Sequence, residues 1–433
     1  MADQPQIDQD VIDLARRLIR IPSLTPVTAD LRPAAQESLA CLQSFLEAAG
    51  ARCERLCFSG GHERWGYPVD NLYAEWISNP GGSGICFLGH TDVVPPGDPA
   101  NWQRAPFGAE IEGDLLYGRG ATDMKGAVAA FAVAAARFAQ ENQKLNVSLI
   151  ITTDEEWAAV NGTRRVLEWA RAQGKTPSAF LVGEPSSAEI LGAGIKIGRR
   201  GSLGGRLIAR GTQGHAAYPG LYENPNRALV LGLGIFHGLR WGDGEPGLPA
   251  TNFETIALSS GDFGASAIIP GEAQALWNIR FTHRQTPSGL TARLQEALAN
   301  PDKFARDHDD AIVLKQLCLV ANIGTAALPY YSAPDELARA ARLAIAERTG
   351  RTPVFDAGGG TTDGRFVHAF FPQAEIVELG LPEMGGLTYE AHPERAGRYG
   401  GMHQADESCS VADLQSLSGC YLSLLRNYSG TAE

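Results

Sequence analysis

Ile85-Cys86-Phe87-Leu88-Gly89-His90-Thr91-Asp92-Val93-Val94-Pro95 is the stretch on which the fold turns. Its first five residues form a short apolar run, suited to a strand buried on both faces. The apolar run gives way at once to a histidine and an aspartate. The same grammar recurs downstream. Val147-Ser148-Leu149-Ile150-Ile151-Thr152-Thr153 is followed by Asp154-Glu155-Glu156, and Ala179-Phe180-Leu181-Val182-Gly183 is followed by Glu184-Pro185. Between these runs lie stretches with helical character, an alanine-rich one over 126–140 and a second over 163–173. Upstream, residues 8–20 place Val11, Leu14, Ala15 and Leu18 on one face, and 34–49 form a second amphipathic helix. Strands alternating with helices predict an α/β layer with a mainly parallel sheet.

The pattern changes near residue 198. Residues 202–210, 251–259 and 272–281 alternate polar and apolar side chains, with a helix over 225–239 between them. This predicts an α+β unit whose sheet has one wet face. Near 315 the α/β character returns, with helices over 332–348 and 411–426. The expected organisation is a catalytic domain in two parts, 1–198 and 315–433, interrupted by an inserted α+β domain over 199–314.

Composition narrows the functions. The chain has 433 residues, of which 44 % are apolar and 20 % charged, and its net charge is −12. This acidity argues against a nucleic-acid partner, which needs a basic surface. No apolar run reaches the roughly 18 residues of a membrane span. No signal peptide is read at the N-terminus, so a cytoplasmic location is expected. The seven cysteines form no CxxC pair and fit reduced thiols.

Chemistry collects at the strand ends, where open α/β sheets bind ligands. A fourth segment, Gly118-Arg119-Gly120-Ala121-Thr122-Asp123-Met124-Lys125-Gly126, adds another carboxylate. Taken singly, each residue has an ordinary alternative. His90 could be a core histidine, Asp123 a helix N-cap, Glu155 and Glu156 a solvated acidic turn, and Glu184 a loop acid. Together they suit a metal site, with the Asp92 carboxylate orienting the His90 imidazole. Imidazole with carboxylate favours zinc, or cobalt or manganese. Carboxylates outnumber imidazoles, which suits one carboxylate shared by two ions.

These motifs, in this order, resemble the signature of the M20 metallopeptidase and deacylase family, and the likeness spans about residues 8 to 426. Further segments resemble its desuccinylase branch: Ile197 to Leu203, Gln213 to Pro219, Glu223 to Pro225, Ile269 to Glu272, Asn278 to Phe281 and Gly358 to Phe366. The resemblance implies a di-metal catalytic domain interrupted by a dimerisation and lid domain, and hence a homodimer. It implies that His90 and Glu184 hold one ion, Glu156 and His403 the other, and that Asp123 bridges both. Glu155 would be general base and then acid. His215 would donate to the oxyanion in the partner subunit's site. Arg199, Arg280, Ser266, Gly359, Gly360 and Thr361 would bind the substrate. The implied reaction is hydrolysis of N-succinyl-L,L-diaminopimelate to succinate and L,L-diaminopimelate, in bacterial lysine synthesis. The alternative is another N-acyl-amino-acid deacylase, or a carboxypeptidase or dipeptidase, of the same family.

Two departures bear on the substrate. Ala265-Ser266-Ala267 stands where the branch has Ser-Asn-Asn, so two amides are replaced. A Gly- and charge-rich insertion over 381–400, containing His392, precedes His403 and is expected to be a surface loop. A further insertion lies around 60–69.

Overall fold

The structure is a computed structural model describing residues 4–63, 66–82, 84–141, 144–244, 247–300, 315–321, 326–385 and 400–429. The chain forms two compact units. One comprises Met1–Gly198, Tyr331–Asp356 and Thr362–Glu433, and the other Arg199–Tyr330 with Ala357–Thr361.

The first unit is built on an eight-stranded sheet. Its order is Arg52–Phe58, Val69–Trp76, Asn146–Thr152, Gly84–His90, Ala179–Val182, Glu375–Glu378, Gly194–Lys196 and Val354–Asp356. The strands at its centre run parallel, with His90 level with Thr152 and Leu88 level with Val182. All seven residues of Gly84–His90 are buried, as the apolar run predicts for a strand covered on both faces. The carboxyl ends of three neighbouring strands therefore lie side by side and carry Glu155 and Glu156, His90, and Glu184.

Asp123 arrives by another route. The strand before it, Leu115–Tyr117, belongs not to the main sheet but to a small three-stranded one with Ile111–Glu112 and Ser408–Ser410. That pairing, Tyr117 opposite Ser408, brings the 403–410 segment beside the Asp123 turn. Helix Lys125–Ala139 then runs through the core, buried nearly all round. Its alanines let other elements approach closely, and Phe131 stacks on Phe87 with ring centroids 4.3 Å apart. Tyr421 of helix Val411–Ser429 meets Phe131 edge-on at 5.5 Å.

The second unit is a four-stranded antiparallel sheet in the order Asn252–Ser260, Glu272–Phe281, Gly201–Arg210 and Leu317–Ala321. Burial alternates along Gly201–Arg210 and Glu272–Phe281, matching one dry and one wet face. The dry face, with Leu203, Leu207, Trp277 and Ile279, packs on helices Pro225–Gly238 and Pro287–Ala299. This unit continues beyond residue 314, because Leu317–Ala321 pairs with Gly201–Arg210 as its edge strand. Among the described residues no helix is long and apolar enough to cross a membrane. All seven cysteines are unpaired.

Candidate metal centre

His90 ends its strand with a side chain 1 % exposed. Its Nδ1 lies 2.9 Å from the Asp92 carbonyl oxygen, so Nδ1–H donates there and Nε2 is the nitrogen turned to the cluster. Nε2 faces Asp123 Oδ1 at 3.2 Å and Glu184 Oε1 at 3.5 Å. The other Asp123 oxygen, Oδ2, lies 3.4 Å from His403 Nε2. His403 in turn meets Glu156 at 3.0 Å. Asp123 thus sits between two imidazoles with one oxygen toward each. Two overlapping groups could hold an ion, His90 with Asp123 and Glu156, and His90 with Glu155 and Glu184. In each, the ligand atoms lie within 4.8 Å of one another.

The five ligand candidates and Glu155 are therefore together. Asp123 is not the helix cap, since the N-cap position belongs to Met124 and carries no side-chain cap bond. The Asp123–Met124 peptide is cis. Asp92 acts differently from the expectation. Its carboxylate is 3.7 Å from His90 Nδ1, beyond hydrogen-bond reach, and its backbone carbonyl orients the ring instead. The carboxylate accepts the Thr25 hydroxyl at 2.8 Å and the backbone N–H groups of Glu155 and Glu156 at 3.2 and 3.3 Å. A short side chain two residues beyond His90 reaches the adjacent strand end more readily than it folds back on the ring.

The charges of the cluster are out of balance. Burial, then the neighbouring Asp123, raises both Glu156 and Glu184 to about 7. Glu155 is pushed well above the usual range by burial, then by Glu184 and Asp363. Burial also opposes ionisation of Asp123, but hydrogen bonds from His403 and His90 outweigh it and hold this carboxyl below the usual range. The Asp123 and Glu156 bonds raise His403 to about 10. Four carboxylates thus compete for two imidazoles, and without cations the cluster must take up protons. Two divalent cations would match four carboxylates in charge, and the donor set is one zinc, cobalt or manganese accepts. The residues present fit such ions.

Several supporting residues carry no local signal of their role. The Glu155–Glu156 turn is closed by Asp154 Oδ2, which accepts the Val160 and Asn161 N–H groups, while the Tyr67 hydroxyl donates to Asp154 Oδ1 at 2.7 Å. Asn161 donates to the carbonyls of Gly60 and Tyr67. The described part of the 60–69 insertion thereby braces the turn that carries Glu155. Arg365 Nη1 lies 4.0 Å from Glu155 and its Nη2 3.4 Å from buried Asp363. Residues 386–399 of the 381–400 insertion, His392 among them, lie outside the described residues.

The remaining site candidates lie in the second unit. His215, on the short strand Gly214–His215, is exposed, and its Nδ1 accepts the Ala217 N–H at 3.1 Å. The proton of the neutral ring therefore rests on Nε2, as a donor role requires. This bond also fixes the turn. Ser266 is exposed on the loop whose Ala267 carbonyl accepts the Ala216 N–H at 2.9 Å. Arg199 is buried and donates to the Gly358 carbonyl at 3.2 Å. Gly359 has φ +105°, a backbone conformation that strains any side chain, and a Cβ there would stand 2.2 Å from Arg199 Nη1, which would have to shift. Gly360 is exposed, Thr361 half-buried. Arg280 pairs in register with Ser202 and Asn252 and is partly buried.

Fold and cluster together define a metal-dependent amidohydrolase with an inserted sheet domain. The chain belongs to peptidase family M20/M25/M40, whose profile matches residues 86–427. It is 41 % identical over 429 residues to the succinyl-diaminopimelate desuccinylase of Rhodospirillum centenum, covering 98 % of each chain. With that of Beijerinckia indica it shares 39 % over 424 residues, 98 % of this chain and 100 % of the relative. Among solved structures it is similar to an M20 family metallo-carboxypeptidase from Sulfolobus solfataricus, with TM-score 0.73 and 18 % identity over 97 % of this chain and 99 % of that one. A dinuclear metal-binding M20 peptidase of Bacillus subtilis aligns with TM-score 0.61 and 15 % identity over 98 % and 99 % of the two chains.

Proposed function

We propose that this protein hydrolyses N-succinyl-L,L-diaminopimelate to succinate and L,L-diaminopimelate, a step of lysine biosynthesis, as a cytoplasmic homodimer holding two divalent ions. The observation that carries the reading is the seat of Asp123, with one carboxylate oxygen 3.2 Å from His90 and the other 3.4 Å from His403. Near-full-length likeness to desuccinylases supports the substrate.

His90 and Glu184 would hold one ion, Glu156 and His403 the other, and Asp123 both. Zinc is the first choice, and cobalt and manganese share its donor preference here. When bound, the pair would supply an acidified water and a polarised scissile carbonyl. Glu155 takes the proton of the attacking water and hands it to the amine nitrogen, so the C–N bond breaks once the new C–O bond has formed. The Asp92 carboxylate keeps Glu155 in place through its backbone N–H. The partner's His215 donates Nε2–H to the developing oxyanion. Arg199, Arg280, Ser266 and the 359–361 segment bind the substrate's carboxylates, for which guanidinium forks and backbone N–H groups are suited.

A second reading keeps the chemistry and changes the acyl group or amino acid. Ala267 favours it, because a methyl group replaces a hydrogen-bonding amide. A panel of N-succinyl-L,L-diaminopimelate, N-acetylornithine and dipeptides, assayed with added zinc, separates the two. The succinyl substrate is expected to give the highest kcat/KM. Preference for acetylornithine or dipeptides would reject the desuccinylase assignment.

A further inference from the structure

Asp123 and His403 come from distant parts of the chain, and a buried ion pair joins their backbones. Arg119 Nη1 donates to Glu407 Oε2 at 2.6 Å, with side chains only 2 % and 0 % exposed. The other oxygen, Glu407 Oε1, accepts the backbone N–H groups of Thr122 and Asp123, both at 3.1 Å. The Arg119 fork spreads further. Nη1 also reaches the Gln404 carbonyl at 3.1 Å, and Nη2 the His403 carbonyl at 3.4 Å and the Pro95 carbonyl at 3.5 Å. The Trp102 ring covers the guanidinium at 5.3 Å.

The turn that Arg119 grips is a demanding one. His403 and Asp406 have φ of +63° and +54°, left-handed values for residues other than glycine. Such backbone persists where surrounding contacts over-determine it. A planar fork can bind a carboxylate and two carbonyls at once, which a lysine ammonium does less well. Buried ion pairs are weak devices for net stability, so a geometric role is the better account of this one. The His90 side is held separately, by Asp92 through its carbonyl and carboxylate.

We propose that Arg119 and Glu407 are a positioning pair that sets the spacing of Asp123 and His403, and so the affinity of the ion that His403 and Glu156 would hold, without touching ion or substrate. This deepens the two-ion reading above and rests on it.

The test titrates metal-stripped wild-type protein, Arg119→Lys and Glu407→Gln with zinc ion by calorimetry, and records the melting of each stripped protein. Wild type is expected to bind two equivalents, and fewer than two would sink the two-ion reading by itself. Arg119→Lys keeps the cation and leaves Glu407 on Asp123. It should melt with the stripped wild type, keep the first equivalent, and weaken the second by about 10- to 100-fold, the size of effect typical for supports of metal ligands. Two wild-type affinities in this variant, or an equal loss of both, overturn the inference while leaving the two-ion reading intact. Should Arg119→Lys fail to fold, Glu407→Gln gives the answer. It loosens Asp123 as well as the Arg119 fork and is expected to weaken both equivalents, the second more.

Discussion

Glu155 and Glu156 are adjacent in sequence but face different partners. Glu156 meets His403 at 3.0 Å, whereas the Glu155 carboxylate lies 4.0 Å from Arg365. Removing the acid–base function alone should therefore spare the ions. Glu155→Gln is expected to lower kcat by about 100- to 10,000-fold with metal content per chain unchanged by elemental analysis. Activity near wild type would remove Glu155 from the mechanism. At Gly359 the constraint is steric. Gly359→Ala forces a side chain into positive φ and against the Arg199 guanidinium, 2.2 Å away. The expected cost is about 1–3 kcal/mol in urea unfolding, with KM rising more than kcat falls. An unaffected KM would show that the 359–361 loop does not bind substrate.

Among the elements, helix Lys125–Ala139 links the packed core to the site, because Asp123 stands just before its first turn. Ala130 is fully buried, and its carbonyl accepts the Ser418 hydroxyl at 3.0 Å, so helix Val411–Ser429 lies close. Ala130→Leu inserts three carbons where no space exists and is expected to destabilise by about 1–3 kcal/mol, read as a lower urea midpoint at unchanged slope. An unshifted midpoint would mean that the two helices can part at little cost. Elements also explain which ligand candidates could be read in advance. His90, Glu156 and Glu184 each follow an apolar strand, so their convergence follows from the rule that parallel strands end together. Asp123 follows a strand of the small sheet and could equally have capped its helix. His403 lies on a turn with no periodic pattern, and only the family resemblance singled it out. Arg119 and Glu407 are 288 residues apart, and no local signal links them.

For the whole molecule, the proposed dimer makes a prediction that no single chain can meet. If the partner's His215 completes each site, mixing two impaired variants should restore function. Glu155→Gln homodimers lack the base and His215→Ala homodimers lack the oxyanion donor. Subunit exchange gives a mixed dimer in which one site has both. Activity is expected to rise on co-refolding or co-expression of the pair above the sum of the separate preparations. No gain, with exchange verified by mass spectrometry of the native dimer, would confine His215 to its own subunit or to its turn.

The sequence by itself determined the principal helices and the buried central strands, because hydrophobic periodicity and strand length are local properties. The apolar run at 85–89 could be covered only on both faces, and alternation in 202–210 and 272–281 could leave only one face wet. It also determined the chemical inventory, histidine and carboxylates at strand ends, and through ordered motifs the family. Tertiary structure alone decided how that inventory is wired. It gave the Asp92 carboxylate to the Glu155–Glu156 backbone and not to His90, braced the Glu155–Glu156 turn with Gly60 and Tyr67, carried the second unit past residue 314, and joined Arg119 to Glu407 beside the candidate metal ligands. These are contacts between segments far apart in the chain. Their partners are chosen by which backbone N–H or carbonyl a fold leaves within about 3 Å of a buried charge, and no local pattern encodes that choice.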